Sequence, residues 1–342
     1  MTPAGVALVG YGYAGKTFHA PLIAAAKGLR LHTVVSRQGD VVKTDWPEAK
    51  VAADLGAALA DPGVELVVIA APNALHAPLA RQALEAGRAV VVDKPFTLTV
   101  AEAKDLAALA EARGRLLSVF HNRRWDADFL TLQALIAEGR LGRIVRFGSH
   151  FDRFRPQVRD RWREADVPGA GVWYDLGPHL IDQALVLFGR PLGVSADLAV
   201  VREGGKATDY AHAVLRYEGL RVILHADMLS AASDLRFAIQ GERAGWIKSG
   251  LDIQEEQLKA TGRAGGDGWG LDPRPGLLID GETGARAPVD GPAGDYRRFY
   301  DQIALALRGQ APNPVPPDQA VAVMEVLEAG LISAERRAEQ PL

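Results

Sequence analysis

Lys94 is a lone cation at the end of an apolar run, Ala89-Val-Val-Val-Asp93, and Pro95 follows it at once. The run reads as a buried strand. The carboxyl end of such a strand is where open α/β sheets bind their ligands. An ammonium there can hydrogen-bond a reacting oxygen and stabilise negative charge developing on it. The alternative is a surface lysine that merely opens a loop. Pro95 argues for a directed side chain, because it fixes the local turn and its peptide bond can be cis.

A second chemical segment is Gly169-Ala-Gly-Val-Trp-Tyr-Asp175-Leu-Gly-Pro-His179. Gly177-Pro178 reads as a helix start with proline at its first position. Asp175 then precedes the helix and His179 sits in its first turn, so both can serve one site. Histidine is the usual general base near neutral pH, and a nearby carboxylate orients it and supports its cationic form. A packed His179 with a capping Asp175 is the structural alternative.

Gly10-Tyr11-Gly12-Tyr13-Ala14-Gly15 follows the short apolar strand Val6–Val9 and opens a helical stretch. Three glycines at this spacing suit a tight turn, close backbone approach to a pyrophosphate, and helix–strand packing. The pyrophosphate then lies at a helix N-terminus. At the end of the second strand an NAD enzyme usually carries Asp or Glu for the ribose; this chain has Ser36-Arg37. A hydroxyl and a guanidinium there suit a 2′-phosphate and point to NADP(H), with NAD(H) as the lesser option should Asp40 take the ribose.

Other strand ends supply further candidates. Pro72-Asn73 closes the strand Leu66–Ala70, and His76 begins the next helix, where it either lines the cofactor site or packs. Asp93, Lys94 and Pro95 are cofactor-site candidates together. Asn122, after the strand Leu116–Phe120, is a candidate for cofactor or substrate, and Arg123 and Arg124 suit salt bridges as well as a site. The basic stretch 153–163 offers Arg153 to substrate and Trp162-Arg163 to cofactor, against a solvated or subunit-contact face.

Strands and helices alternate up to about residue 122, which implies a doubly wound parallel sheet. Thr99-Val-Ala-Glu102 is a capping box that opens a helix. Beyond residue 122, successive strand-like runs at Ile144–Phe151, Val194–Val201, Tyr210–Tyr217, Val222–Met228 and Arg236–Ile239 imply a mainly antiparallel sheet. Residues 262–294, rich in Gly and Pro, read as a long excursion. Two helices close the chain, the second with Asp318 as its N-cap. The fold class is therefore α/β: a Rossmann domain over 1–122 and an α+β domain over 123–342.

Composition removes several classes. A net charge of -3 gives no basic excess for nucleic acid. No apolar run approaches the ~20 residues that span a bilayer. No basic-plus-apolar leader is visible, and cysteine is absent, so a cytoplasmic location is expected. His19, His76 and His121 show no ligand spacing with acids and there is no HExxH, so no metal site is expected.

With these residues in place, the chain resembles the glucose–fructose oxidoreductase / inositol dehydrogenase / MocA (Gfo/Idh/MocA) family over essentially its full length. The resemblance rests on Gly10–Gly15, Phe18-His-Ala-Pro21, Asp93-Lys-Pro95, His121-Asn-Arg-Arg-Trp-Asp126 and Asp175-x-x-x-His179. It implies a Rossmann domain followed by a domain whose open sheet mediates a homodimer or homotetramer. It also implies that Lys94, Asp175 and His179 match the family's catalytic trio. Asp93 stands where the family more often has Glu. The wording looks most like the branch containing NADP-linked scyllo-inositol dehydrogenases. The expected activity is interconversion of a secondary alcohol and a ketone on a cyclic polyol or sugar, scyllo-inositol or inosose in type. A same-fold dehydrogenase of another sugar, uronate or dihydrodiol is the nearest alternative, and a non-catalytic NADP-sensing regulator a more distant one.

Overall fold

The computed structural model describes residues 2–342. The chain divides into two compact units. The first takes Met1–Trp125, Ile253–Trp269 and Asp295–Val321; the second takes Asp126–Asp252, Gly270–Gly294 and Ala322–Leu342. Two stretches far along the chain, 253–269 and 295–321, thus group with the N-terminal residues.

The first unit is built on six parallel strands: β1 (Ala4–Val9), β2 (Leu29–Val35), β3 (Lys50–Ala52), β4 (Leu66–Ile69), β5 (Ala89–Val92) and β6 (Leu117–Val119). Their spatial order is β3-β2-β1-β4-β5-β6. β1, β4 and β5 are buried at every position. That is why they read as unbroken apolar runs: helices cover both faces of a parallel sheet. The order reverses direction between β1 and β4, which opens the crevice at the strands' carboxyl ends.

Short helices join these strands: α1 (Ala20–Ala25), α2 (Gly39–Asp45), α3 (Leu55–Leu59), α4 (His76–Glu85) and α5 (Val100–Ala112). The expected capping box is present at α5, where Thr99 and Glu102 each bond the other's backbone N–H. Asp54 and the returning segments add what pattern alone did not supply. Asp54 caps α3 by accepting from Ala57 N–H at 2.8 Å.

In the second unit, helix α6 (Ala127–Ala137) leads to β7 (Ile144–His150), and α7 (Val172–Phe188) precedes β8 (Gly193–Ala199), β9 (Tyr210–Tyr217), β10 (Leu220–Asp227), β11 (Leu235–Gly241) and β12 (Ala244–Ser249). The sheet has nine strands and is mixed. β7 and β10 pair parallel at its centre, and the remaining pairs are antiparallel. β9 and β10 alternate strictly: Ala211, Ala213, Leu215, Val222 and Leu224 are buried on the face that meets α7, while His212, Val214, Ile223 and His225 stand on the other.

Three sequence expectations need correction here. The stretch 262–294 is not one irregular excursion. It follows α8 (Gln254–Thr261) and contains the edge hairpin β13 (Gly276–Asp280) and β14 (Arg286–Val289). Its turn is closed by Asp280, whose Oδ1 accepts from the Thr283 N–H at 2.8 Å and its hydroxyl at 2.7 Å. Pro288 is tolerated because β14 is the last strand of the sheet.

The second correction concerns α7, which begins at Val172, not at Gly177-Pro178. Gly171, at φ 88°, caps it, and the Asp175 N–H donates to the Gly171 carbonyl at 3.0 Å. Gly177 serves packing instead: a Cβ there would lie 3.1 Å from the Trp173 ring. Trp173 is fully buried and donates from Nε1 to the Leu327 carbonyl at 2.9 Å.

The third is Asp318. The chain's closing helices are α9 (Arg297–Leu307) and α10 (Pro317–Arg336), followed by the short strand β15 (Gln340–Pro341). Proline occupies the first position of α10, so Asp318 lies inside its first turn, where a carboxylate complements the helix dipole without capping.

Candidate functional site

The glycine loop leaves β1 at the switch point. Gly10, at φ 98°, donates from its N–H to the Val35 carbonyl at 3.0 Å. A Cβ on Gly10 would lie 2.5 Å from the Ala70 carbonyl oxygen, and one on Gly15 would lie 2.0 Å from that of Gly10. These two glycines are demanded by the protein's own backbone. Gly12 is different: nothing lies within 4 Å of where its Cβ would be. That open backbone fits a group which must approach closely, as a dinucleotide pyrophosphate does. The Lys16 N–H closes onto the Gly12 carbonyl at 2.8 Å, so a helix begins here with its first N–H groups free of intrahelical partners. Residues Gly15–His19 form a π-helical turn before α1.

The two tyrosines of the loop diverge. Tyr11 is buried and donates to Asp45 at 2.8 Å while accepting from the Trp46 indole at 2.9 Å. Tyr13 is exposed and donates to Glu255, on α8, at 2.5 Å. Ala14 continues the helical backbone into the π turn.

Ser36 and Arg37 follow β2. The Ser36 hydroxyl accepts from the Gln38 N–H at 3.0 Å, and Arg37 is exposed. No carboxylate ends this strand; Asp40 sits in the first turn of α2. After β4, Pro72 leads into a 3₁₀ turn holding the buried Asn73, and His76 begins α4. The His76 Nδ1 is 2.7 Å from the Pro95 carbonyl and its Nε2 is 2.9 Å from that of Ala71. A neutral imidazole can donate to only one of them. Burial lowers the His76 pKa, against the opposing pull of Asp93 and the two carbonyls. His76 therefore ties the loop after β4 to the loop after β5.

The loop after β5 carries Asp93, Lys94 and Pro95, and the Lys94–Pro95 bond is cis. Asp93 is buried and accepts from the Lys94 N–H at 2.8 Å. His19 Nε2 stands 3.7 Å from its Oδ1, beyond direct hydrogen-bond range. Burial alone would raise the Asp93 pKa; His19, the Lys94 ammonium and His76 outweigh it and hold the carboxyl at about 2. The Lys94 side chain is half-buried. Asn122 opens a 3₁₀ turn after β6 and is buried. Its neighbours make salt bridges and hydrogen bonds within this unit: Arg123 to Glu255 at 3.4 Å, and Arg124 to Gln319 at 2.7 Å.

Residues missed in the sequence support this edge. Tyr300, on α9, bonds the His19 ring at 2.6 Å, and Phe120 stacks against both. Glu255 joins Tyr13 to Arg123. His19 was legible, since Phe18-His-Ala-Pro21 is a recognisable run. Tyr300 and Glu255 carry no local signal, because they return from positions more than 200 residues beyond the loop they brace.

The second unit holds Arg153, Trp162, Arg163, Asp175 and His179. Asp175 and His179 lie four apart on α7, hence on one helix face. Arg163 Nε is 3.5 Å from Asp175 Oδ1, and its guanidinium lies over the Trp162 ring at 4.6 Å. The Arg163 carbonyl accepts from the Gly171 N–H at 2.9 Å, which fixes this stretch against the start of α7. His179 is buried and stacks on Phe151, ring centroids 6.3 Å apart and planes 26° apart. The Arg153 guanidinium lies over the same Phe151 ring at 4.9 Å. Part of the basic stretch is internally paired: Arg161 to Glu164 at 2.6 Å, while Arg202 holds Glu164 at 3.1 Å and Asp209 at 2.8 Å. Arg163 thus reaches Asp175 directly, and Arg153 shares the Phe151 ring with His179.

No helix among the described residues is long and apolar enough to cross a membrane. Residues 4–121 match the profile of the oxidoreductase family's NAD-binding Rossmann fold, and residues 133–342 match that of its C-terminal alpha/beta domain. The oxidoreductase YdgJ of Escherichia coli K12, itself uncharacterized, is 52% identical over 97% of both chains. The scyllo-inositol 2-dehydrogenase (NADP(+)) IolW of Bacillus subtilis is 37% identical over 97% of this chain and 94% of its own. A crystal structure of a Klebsiella pneumoniae protein superposes with a TM-score of 0.94 at 50% identity, covering 100% of this chain and 96% of that one. The chain belongs to the Gfo/Idh/MocA family of oxidoreductases, with an NAD-binding Rossmann fold and the family's C-terminal alpha/beta domain.

Proposed function

We propose that the protein is an NADP(H)-dependent dehydrogenase that interconverts a secondary alcohol and a ketone on a cyclic polyol or sugar, scyllo-inositol or inosose in type. The observation that carries the substrate class is the 37% identity, over nearly the whole of both chains, to the scyllo-inositol 2-dehydrogenase (NADP(+)) IolW. Support for NADP(H) comes from the end of β2, where Ser36 and an exposed Arg37 stand in place of a carboxylate.

Gly10, Gly12 and Gly15, with the N–H groups that open the following helix, would hold the pyrophosphate; Arg37 would hold the 2′-phosphate. Tyr11, Tyr13 and Ala14 would shape that loop, and Pro72, Asn73, His76, Pro95, Asn122, Trp162 and Arg163 would border the remainder of the cofactor. When bound, NADP(H) gives or takes the hydride. His179 takes the hydroxyl proton during oxidation and returns it during reduction. Asp175 orients His179 and supports its cationic form, and Arg163, 3.5 Å away, holds the Asp175 carboxylate in place. Lys94 hydrogen-bonds the reacting oxygen and stabilises the charge that develops on it. Asp93 holds the Lys94 backbone. Arg153 and Asn122 contribute hydrogen bonds to substrate hydroxyls.

The test is cofactor reduction followed by absorbance across a panel of inositols, aldoses and uronates, run with both NAD and NADP. Turnover of a cyclic polyol with NADP is expected. Tight NADPH binding with no turnover on any member would overturn the proposal in favour of a sensor.

A further inference from the structure

The large sheet of the second unit carries, on the face away from α7, a row of ionisable side chains set side by side by strand register. His225 on β10 is paired with His150 on β7 and with His212 on β9, and His212 is paired in turn with Asp197 on β8. Asp152, two residues past His150, and Asp227, two residues past His225, continue the same face by the two-residue period of extended chain.

Three ligand atoms from this row, one each from Asp152, His225 and Asp227, lie within 4.8 Å of one another. His225 Nε2 is 3.4 Å from Asp227 Oδ2 and 3.8 Å from Asp152 Oδ1. At metal–ligand distances of about 2.0–2.2 Å, those two separations correspond to angles of roughly 110–130° at a shared ion. The Asp152 side chain is 3% exposed, and its Oδ1 is buried without a hydrogen-bond partner. A buried carboxylate oxygen normally has a partner, and this one is turned toward the His225 ring.

The surroundings are those of an oriented ligand set. A metal-bound imidazole characteristically gives its other nitrogen to an acceptor, and ligating carboxylates are themselves hydrogen-bonded. His225 Nδ1 lies 3.3 Å from His212 Nδ1. Asp152 Oδ2 accepts from the Ser233 hydroxyl at 3.1 Å. Asp227 Oδ2 accepts from the Ser230 hydroxyl at 2.9 Å, and its Oδ1 from the Leu229 N–H at 3.0 Å. These contacts fix the direction of each group; Asp152 Oδ1 is left facing His225 Nε2, and Asp227 Oδ2 meets that same nitrogen at 3.4 Å while also accepting from Ser230.

We propose that Asp152, His225 Nε2 and Asp227 form a binding site for a divalent transition-metal cation of the zinc class. One imidazole with two carboxylates suits such borderline cations better than a soft metal, which would want sulfur. His150, whose Nδ1 is 3.6 Å from Asp152 Oδ2, stands ready as a further ligand. The site is independent of the dehydrogenase assignment, and it departs from the sequence expectation that no metal is bound. It still touches the candidate catalytic residues through one strand end. Asp152 is flanked by Phe151, which stacks on His179, and by Arg153, which lies over that same ring.

The experiment uses the full chain, stripped with a chelator and then titrated with zinc against a chromophoric competitor. One equivalent is expected to bind, with a metal-dependent rise in melting temperature. Asp152→Asn and His225→Ala should each weaken binding by at least about tenfold, and His212→Gln by about the same factor. Melting of the metal-free variants checks that they fold. Failure of the wild-type chain to bind one equivalent overturns the proposal, and so does undiminished binding by the folded Asp152→Asn and His225→Ala variants.

Discussion

His19 faces the buried carboxylate of Asp93 across 3.7 Å. The same ring is held from behind by the Tyr300 hydroxyl, and the same carboxylate holds the Lys94 backbone. The half-buried Lys94 is thus held at its backbone through a chain of contacts whose middle member is an ionised acid.

That acid has a pH signature. An unfolded aspartate titrates near 3.8, whereas Asp93 in the fold is held at about 2. Between those values the unfolded chain binds a proton that the folded chain refuses, so stability rises with pH across the window. The contribution is full above about pH 4 and is lost as pH falls toward 2; it is worth on the order of 2 kcal/mol. Urea unfolding at a series of pH values should show a shallower acid slope in Asp93→Asn than in the wild type. Equal slopes would remove Asp93 from the acid response.

Two glycines of the loop should separate binding from folding. Gly12→Ala places a methyl in open space, so its melting temperature should hold while NADPH affinity drops by tenfold or more, roughly the loss of one or two good phosphate contacts. Gly15→Ala meets the Gly10 carbonyl and should destabilise the fold by about 1–3 kcal/mol. Calorimetric NADPH titration and thermal melts on both variants provide the check. A Gly12→Ala protein with native affinity would show that no ligand backs onto that residue.

Arg37→Ala should weaken NADPH binding by about 10–100-fold, the range for losing hydrogen bonds to a charged phosphate, and leave NADH binding nearly unchanged. Equal effects on the two cofactors would mean that Arg37 does not read the 2′-phosphate.

Lys94→Ala and His179→Ala should each cut turnover by about 10²–10⁴-fold, the usual scale for a proton-transfer group. NADPH affinity should move by no more than about threefold, since neither ring nor ammonium is needed to seat a pyrophosphate. Unimpaired kcat in either variant would remove that residue from the chemistry.

Elements that bury on both faces announced themselves in the sequence. β1, β4 and β5 are continuous apolar runs, the capping box of α5 is a local pattern, and the glycine loop sits between a strand and a helix as its chemistry requires. What escaped was set by distant partners. Gly177-Pro178 looked like a helix start because proline and glycine usually punctuate, yet Gly177 is small to admit the Trp173 ring. The hairpin β13–β14 was hidden by its many glycines and prolines, although Asp280 and Thr283 close its turn. In the acidic and histidine row on the open face, only the two His-x-Asp pairs, 150/152 and 225/227, are local in the sequence. Register between strands creates the rest, and register was not legible before the sheet was seen.

The cofactor-binding unit is not a contiguous stretch of chain. α8 sends Glu255 back to Tyr13 and Arg123, and α9 sends Tyr300 back to His19. Exchanging the first 122 residues for those of a relative would therefore import a glycine loop without its braces. A working chimera has to carry 253–269 and 295–321 along with the N-terminal segment. For cofactor engineering, the natural unit of inheritance is three pieces of sequence, and substitutions in any one must be matched in the others.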